Sequence, residues 1–380
     1  AAFFLALVIT KQKSSAFFVL PVALIRRLIR TCAPLFFVIM CVYALPRFVS
    51  GPNVKAFFSK FHDEVAADWW HLLLQIRNFS EFSDETLLVH TWYLSTDYQL
   101  FFVSILILLI FKSRKTLSLG AFAVLSLLGC AIATWTAAGL DVLPFIVFPG
   151  HSKDSTIKTL NLGYIKPFYH AVCFFSGCMS FLVMEDFRDR KLSKGVRFAG
   201  WCLAAFCALC SVFMKFPWNS HADPASGAAK LVAAFSDRIL WSIFLSWVTL
   251  TCSTGRGGPF SRILSCNAFV PVSKLSFGVY IIHYIFIQLM LHASRERLYW
   301  SDFNQVTLFF GVFIWSLLLA YLAFLLCEGP ISTLDKLVFQ GPTRRRKAAG
   351  LDRATRTGAQ ATLKQESVET NGTLHLTERL

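Results

Sequence analysis

The feature that most constrains this chain is a series of apolar stretches, each long enough to cross a lipid bilayer and separated by polar connections. A hydrocarbon core about 30 Å thick needs about 20 apolar residues in helical form. Nine segments answer that description, at approximately 1–10 (partial), 29–46, 94–111, 117–138, 167–184, 197–214, 235–252, 271–291 and 304–326. A backbone amide facing lipid finds no water, so each segment must close its hydrogen bonds within itself as an α-helix. The predicted fold class is all-α, a polytopic transmembrane helical bundle. Composition agrees: 55% of the 380 residues are hydrophobic and 16% charged, where a soluble domain carries about 25% charged residues.

The net charge of +15 does not point to nucleic acid, because the basic residues alternate with apolar segments and form no separate stripe. Lys11, Lys13, Arg26, Arg27 and Arg30 follow the first segment; Lys112, Arg114 and Lys115 follow the third; Arg188, Arg190, Lys191, Lys194 and Arg197 follow the fifth. Excess Lys and Arg mark cytosolic connections. Those loops, and the C-terminus with Arg344, Arg345, Arg346 and Lys347, are therefore expected on the cytosolic face of a multi-pass protein of the plasma membrane or an endomembrane. Residues 47–92 are then an external loop carrying the sequon Asn78-Phe79-Ser80, a glycosylation acceptor by motif. His71 and His151 are expected to face solvent in external loops.

Residues 341–380 are polar and aperiodic, which predicts a disordered cytosolic tail whose basic start can hold anionic membrane lipid; its sequon Asn371-Gly372-Thr373 is expected to stay unused. The eleven cysteines lie almost wholly in apolar runs, the pattern of buried thiols, so neither a disulfide framework nor a metal site is expected. The stretch from Ala1 to Thr10 is apolar without a basic leader or cleavage site, and reads as the end of a transmembrane helix cut by the start of the sequence.

Three clusters carry chemistry. In His90-Thr91-Trp92-Tyr93-Leu94-Ser95-Thr96-Asp97-Tyr98-Gln99, Asp97 falls about one turn inside a helix and shares a face with Tyr93. An ionisable group near membrane depth is costly and marks function; the alternative is an aromatic interface belt with Asp97 as a helix-start charge in water. Arg27 and Arg30, three apart, can fork a phosphate or simply set topology. His283, at the end of Leu275-Ser276-Phe277-Gly278-Val279-Tyr280-Ile281-Ile282-His283, falls deep in an apolar span, as a proton carrier, an interhelical hydrogen-bonding group or a packing residue. His170, after Lys166-Pro167-Phe168-Tyr169, and Glu328, before Gly329-Pro330, are lone polar groups of the same class.

In this order the clusters resemble the acyltransferase-3 family, and within it the animal nose-resistant-to-fluoxetine branch, over about residues 1–340. The most specific element, His90 to Gln99, is similar to that branch's His-Thr-Trp-Tyr-Leu-Ser-x-Asp-x-Gln signature, with Asp97 on the family's acidic position. Trp69-Trp70, Asn78-Phe79, the Arg-x-x-Arg pattern at Arg27 and Arg30, Leu275 to His283 and Glu328-Gly329-Pro330 support it.

The resemblance implies a membrane domain over 1–340 that takes an acyl group from cytosolic acyl-CoA, as donor substrate with no bound cofactor, to a hydroxyl-bearing lipid or glycan-type acceptor on the external or luminal face. It implies catalytic roles for Asp97 and His90, and substrate binding by Arg27, Arg30, Trp92, Tyr93, Gln99, His170, His283 and Glu328. It also implies a general-base histidine on a helix ahead of Ala1, and His170 stands where relatives usually carry Arg. On this reading Arg27 and Arg30 are cytosolic while Asp97 is external. A lipid or xenobiotic transport protein, and a structural membrane protein that keeps the fold without turnover, remain the alternatives.

Overall fold

In the computed structural model the described residues are 2–12, 15–112, 114–140, 142–146, 153–219, 227–296, 299, 301–335 and 337–338. Contacts divide the chain into two compact units, Ala1–Phe324 and Leu325–Leu380. His151, Asn371 and the tail from residue 339 lie outside the described residues, so the expectations about them are not addressed by the fold.

The first unit is built from helices, with no strand among the described residues. They are α1 (Ala2–Thr10), α2 (Ala16–Ala44), α3 (Val54–Leu73), α4 (Trp92–Ile110), α5 (Lys115–Gly139), α6 (Lys153–Thr159), α7 (Pro167–Asp189), α8 (Lys194–Phe213), α9 (Phe216–Asn219), α10 (Gly227–Ser253), α11 (Gly258–Leu264), α12 (Phe269–Ala293) and α13 (Asp302–Ala323). In the second unit the described residues include α14 (Gly329–Asp335). Among the described residues eight helices are long and apolar enough to cross a membrane, so the chain is a polytopic all-α bundle. The partial first segment appears as the nine-residue α1, packed on α4 and α7.

Two differences from the sequence reading matter for the site. The second segment was expected to begin near residue 29, leaving Arg26 and Arg27 ahead of it, but α2 begins at Ala16 and runs 29 residues. At 1.5 Å per residue it is roughly 43 Å long, and Arg26, Arg27 and Arg30 lie within it. The supposed external loop 47–92 is the second difference. It contains the 20-residue helix α3, whose buried face is Val54, Phe57, Phe58, Phe61, Val65 and Leu72, the three-and-four spacing of an amphipathic helix.

α3 runs back along α2. Tyr43 near the end of α2 stacks on His62 at 4.3 Å, while Cys32, eleven residues earlier, lies 3.9 Å from the carbonyls of Leu72 and Leu73. The chain turns at Gln75, which adopts a left-handed φ of 56° and whose side chain donates to the Leu72 carbonyl at 2.7 Å. Residues 54–91 therefore form a cap packed against α2, α4 and α12.

Lipid tails are as apolar as leucine, so helices in a membrane associate through close packing and polar contacts more than through burial. Gly129 of α5 illustrates this: a Cβ there would lie 2.6 Å from the Phe168 carbonyl oxygen of α7. That close approach seats the start of α7, and with it His170, against the bundle.

Candidate active site

The extended α2 brings together two groups that the sequence reading assigned to opposite faces. The Arg27 guanidinium donates to the Asp97 carboxylate across the α2–α4 contact and lies 4.4 Å from the centre of the Phe101 ring. Arg27 and Asp97 thus share one depth, which corrects the expected separation of a donor-side pair from an acceptor-side acid. The cause is the early start of α2, which carries Arg27 into the bundle. Arg30, one turn on, is exposed, so the two arginines do not form a joint clamp.

Asp97 opens onto an open-sided cavity of about 350 Å³ lined by residues of α1, α4, α7 and α10. Its walls include Phe3, Tyr93, Thr96, His170, Cys173, Phe174, Ser246 and Thr249. Three sequence-predicted residues, Tyr93, Asp97 and His170, therefore line one space, and Trp92 stands behind it with its ring stacked on His170 at 5.1 Å. His170 is fixed from the other side by a 2.7 Å contact between Nε2 and the Tyr164 carbonyl. A carbonyl only accepts, so Nε2 carries the proton.

The other candidates serve different contacts. His90 is buried, its Nε2 bonded to the Ile281 carbonyl at 3.1 Å, while its own carbonyl accepts from the Tyr280 hydroxyl. His283 turns its Nδ1 back on the Val279 and Tyr280 carbonyls of its own helix, at 3.1 and 2.8 Å. The rings of His90 and His283 sit 5.9 Å apart. This pair fastens the turn ahead of α4 to α12, and neither histidine lines the cavity. Gln99 is equally committed: its Nε2 donates to the Gln75 carbonyl at 3.0 Å and to Asn78 Oδ1 at 2.9 Å. Glu328 belongs to the second unit.

Asn78 runs against the glycosylation expectation. It is fully buried, and its side-chain nitrogen donates to Thr96 Oγ1 at 3.2 Å and to Gln99 Oε1 at 3.0 Å. A glycan on that nitrogen would displace both partners and the packing around them. His71, expected in solvent, instead stacks on Trp70 at 3.6 Å and contacts Asp68 at 2.8 Å.

Sequence reasoning missed two charged centres. In the cap, the buried Arg77 side chain pairs with Glu64 at 2.9 Å and Asp68 at 3.0 Å, and Glu64 also accepts the Leu87 and Leu88 amides at 2.7 and 3.1 Å. The i, i+4 spacing of Glu64 and Asp68 on an amphipathic run was the available signal. On α10, buried Asp237 accepts from Ser211 at 2.7 Å and pairs with Lys215 at 3.1 Å, while Arg238 lies 4.6 Å from the Tyr169 ring centre. Adjacent charges inside the apolar segment 235–252 marked that centre.

These features define a multi-pass membrane protein with a charged, hydroxyl-lined cavity among its helices. A family of acyltransferase domains, the acyltransferase-3 family, matches residues 2–325, and the chain belongs to that family. Nose resistant to fluoxetine protein 6 of Caenorhabditis elegans is 26% identical over 286 residues, covering 71% of this chain and 34% of that protein. The chain thus spans about a third of the length of the curated relative it matches. No solved structure matches.

Proposed function

We propose that the chain is the membrane core of an acyltransferase that moves an acyl group from acyl-CoA on the cytosolic side to a hydroxyl-bearing lipid or glycan acceptor reached from the external or luminal side. The observation that carries this reading is Asp97, paired with Arg27, in the wall of a cavity of about 350 Å³ that mixes hydroxyls with phenyl rings. Acyl transfer needs a group that takes the acceptor's proton and donors for the oxyanion that forms at the thioester carbon. Asp97, held by Arg27, accepts a hydrogen bond from the acceptor hydroxyl and orients it. Ser246 and Thr249 supply hydroxyl donors from the opposite wall. Arg30, outside the ion pair and exposed one turn further along α2, is a second guanidinium for an anionic part of a substrate.

The test supplies labelled acetyl-CoA to membranes holding the full-length protein and follows label into lipid and glycan. Asp97→Asn is expected to cut transfer by about a hundredfold or more, the scale of removing one transition-state contact, while labelled CoA still binds. Equal transfer by wild type and variant would remove Asp97 from the reaction. Altered uptake of a fluorescent lipid with no acylated product would favour transport.

A further inference from the structure

The first two turns of α4 are held from outside the cavity by a line of side-chain amides and hydroxyls. Asn78 and Gln99 form a reciprocal pair: Asn78 Nδ2 donates to Gln99 Oε1 at 3.0 Å, and Gln99 Nε2 donates to Asn78 Oδ1 at 2.9 Å. The second N–H of each amide is also spent, that of Gln99 on the Gln75 carbonyl at 3.0 Å and that of Asn78 on Thr96 Oγ1 at 3.2 Å. Thr96 in turn donates to the Ile165 carbonyl at 2.8 Å. The line therefore runs unbroken from the cap, through α4, to the turn ahead of α7. Beside it the Arg77 amide donates to Ser95 Oγ at 3.0 Å, and Lys166 donates to the Asn78 carbonyl at 2.9 Å.

Successive residues of an α-helix stand about 100° apart, so Ser95, Thr96 and Gln99 share one face of α4. The α4 residues that line the cavity, Tyr93, Thr96, Asp97 and Leu100, share the adjoining face, and Thr96 stands where the two meet. Turning α4 by one residue would carry Asp97 out of the cavity wall. Apolar packing tolerates small slips of that kind, whereas a buried network whose every member has a partner specifies one arrangement. Arg27 holds the carboxylate from α2; the amide pair holds the helix that carries it.

We propose that Asn78 and Gln99 are positioning residues, a two-amide clip that fixes the rotation of α4 and so keeps Asp97 in the cavity wall. The proposal rests on the part given to Asp97 in the function proposed above. Neither amide lines the cavity, so both act through α4 and not on the substrate. This differs from the glycan attachment at Asn78 and the substrate contact at Gln99 that the sequence suggested.

The experiment compares full-length wild type, Asn78→Leu, Gln99→Met and the double variant by three measurements: melting, acyl transfer from labelled acetyl-CoA, and hydrogen exchange over residues 92–100. Each single change strands the other amide and should lower melting, whereas removing both partners for apolar groups of similar shape is close to neutral. The double variant is therefore expected to melt near wild type. It should nevertheless lose about tenfold to a hundredfold in kcat, the scale of a small misplacement of a reacting group, with KM for acetyl-CoA within about twofold, and exchange faster over 92–100. A purely structural pair would make kcat recover together with melting in the double variant, which overturns the proposal. So would unchanged exchange over 92–100. Wild-type protein that transfers no label would overturn the acyltransferase reading instead, and hydrogen exchange alone would then decide whether the clip sets α4.

Discussion

Arg77 and Arg27 both sit inside this bundle against carboxylates, and their surroundings differ in one respect that separates scaffold from site. Arg77 in the cap has a side chain 2% exposed and faces two carboxylates, Glu64 and Asp68; Glu64 spends its remaining lone pairs on the Leu87 and Leu88 amides. Arg27 has one carboxylate, Asp97, with side chains 22% and 13% exposed, and Asp97 borders empty volume. The first arrangement is closed and can only hold. The second retains unfilled hydrogen-bonding capacity where a substrate could enter, which is what a site requires.

Breaking the closed centre is expected to have the largest effect on stability. Arg77→Met strands two carboxylates in the cap, and removing one partner from a buried ion group costs about 3–5 kcal/mol. A melt followed by fluorescence in detergent, with protease sensitivity of residues 74–91, checks this. A change no larger than that of an exposed substitution would mean that water reaches the cap.

Arg27→Gln sharpens the comparison from the other side. It should reproduce the turnover defect of Asp97→Asn, yet shift melting less than Arg77→Met, because the freed carboxylate can be hydrated from the cavity. A charge-assisted hydrogen bond is worth about 1.5–3 kcal/mol. The double variant Arg27→Gln/Asp97→Asn should melt closer to wild type than the summed singles, since both partners of one pair are gone. Additive losses would show that the two side chains do not act as a unit.

The smallest effect belongs to Lys166, at the edge of the cap. Burial pushes its ammonium below the ordinary value of 10.5, with Glu81 acting weakly the other way. The charged form is penalised in the folded chain, so between the depressed folded value and 10.5 the unfolded chain holds more protons, and stability rises with pH across that window. Lys166→Gln should flatten this rise in melting temperature. An unchanged slope in the variant would assign it to other groups.

The all-α membrane class was legible because lipid leaves a helix few alternatives, and a run such as Leu100 to Ile110 announces itself by length alone. The cap was not, since α3 mixes Lys55, Lys60, Asp63, Glu64 and Asp68 with its apolar stripe and shows its buried face only through its 3.6-residue period. The depth of Arg27 was hidden for a related reason. Three arginines within five residues look like a helix boundary, and only the partner Asp97, seventy residues away, makes a charge tolerable inside. Tyr93 and Asp97 were singled out as one face of a helix and His170 as a lone polar group; that the three share a cavity depends on α4, α7 and α10 all contributing to its lining, which no local pattern encodes.

The fastening of His90 to Ile281, across 191 residues, also bears on how the chain is made. At about 5–20 residues per second, α12 leaves the ribosome roughly ten to forty seconds after the start of α4. During that interval His90 lacks its acceptor on α12, and Asn53, which donates to the His292 carbonyl at 3.2 Å, lacks its own. The cap must wait, half-latched, for a helix not yet synthesised, and whatever shields its polar groups in the meantime governs the yield of folded protein.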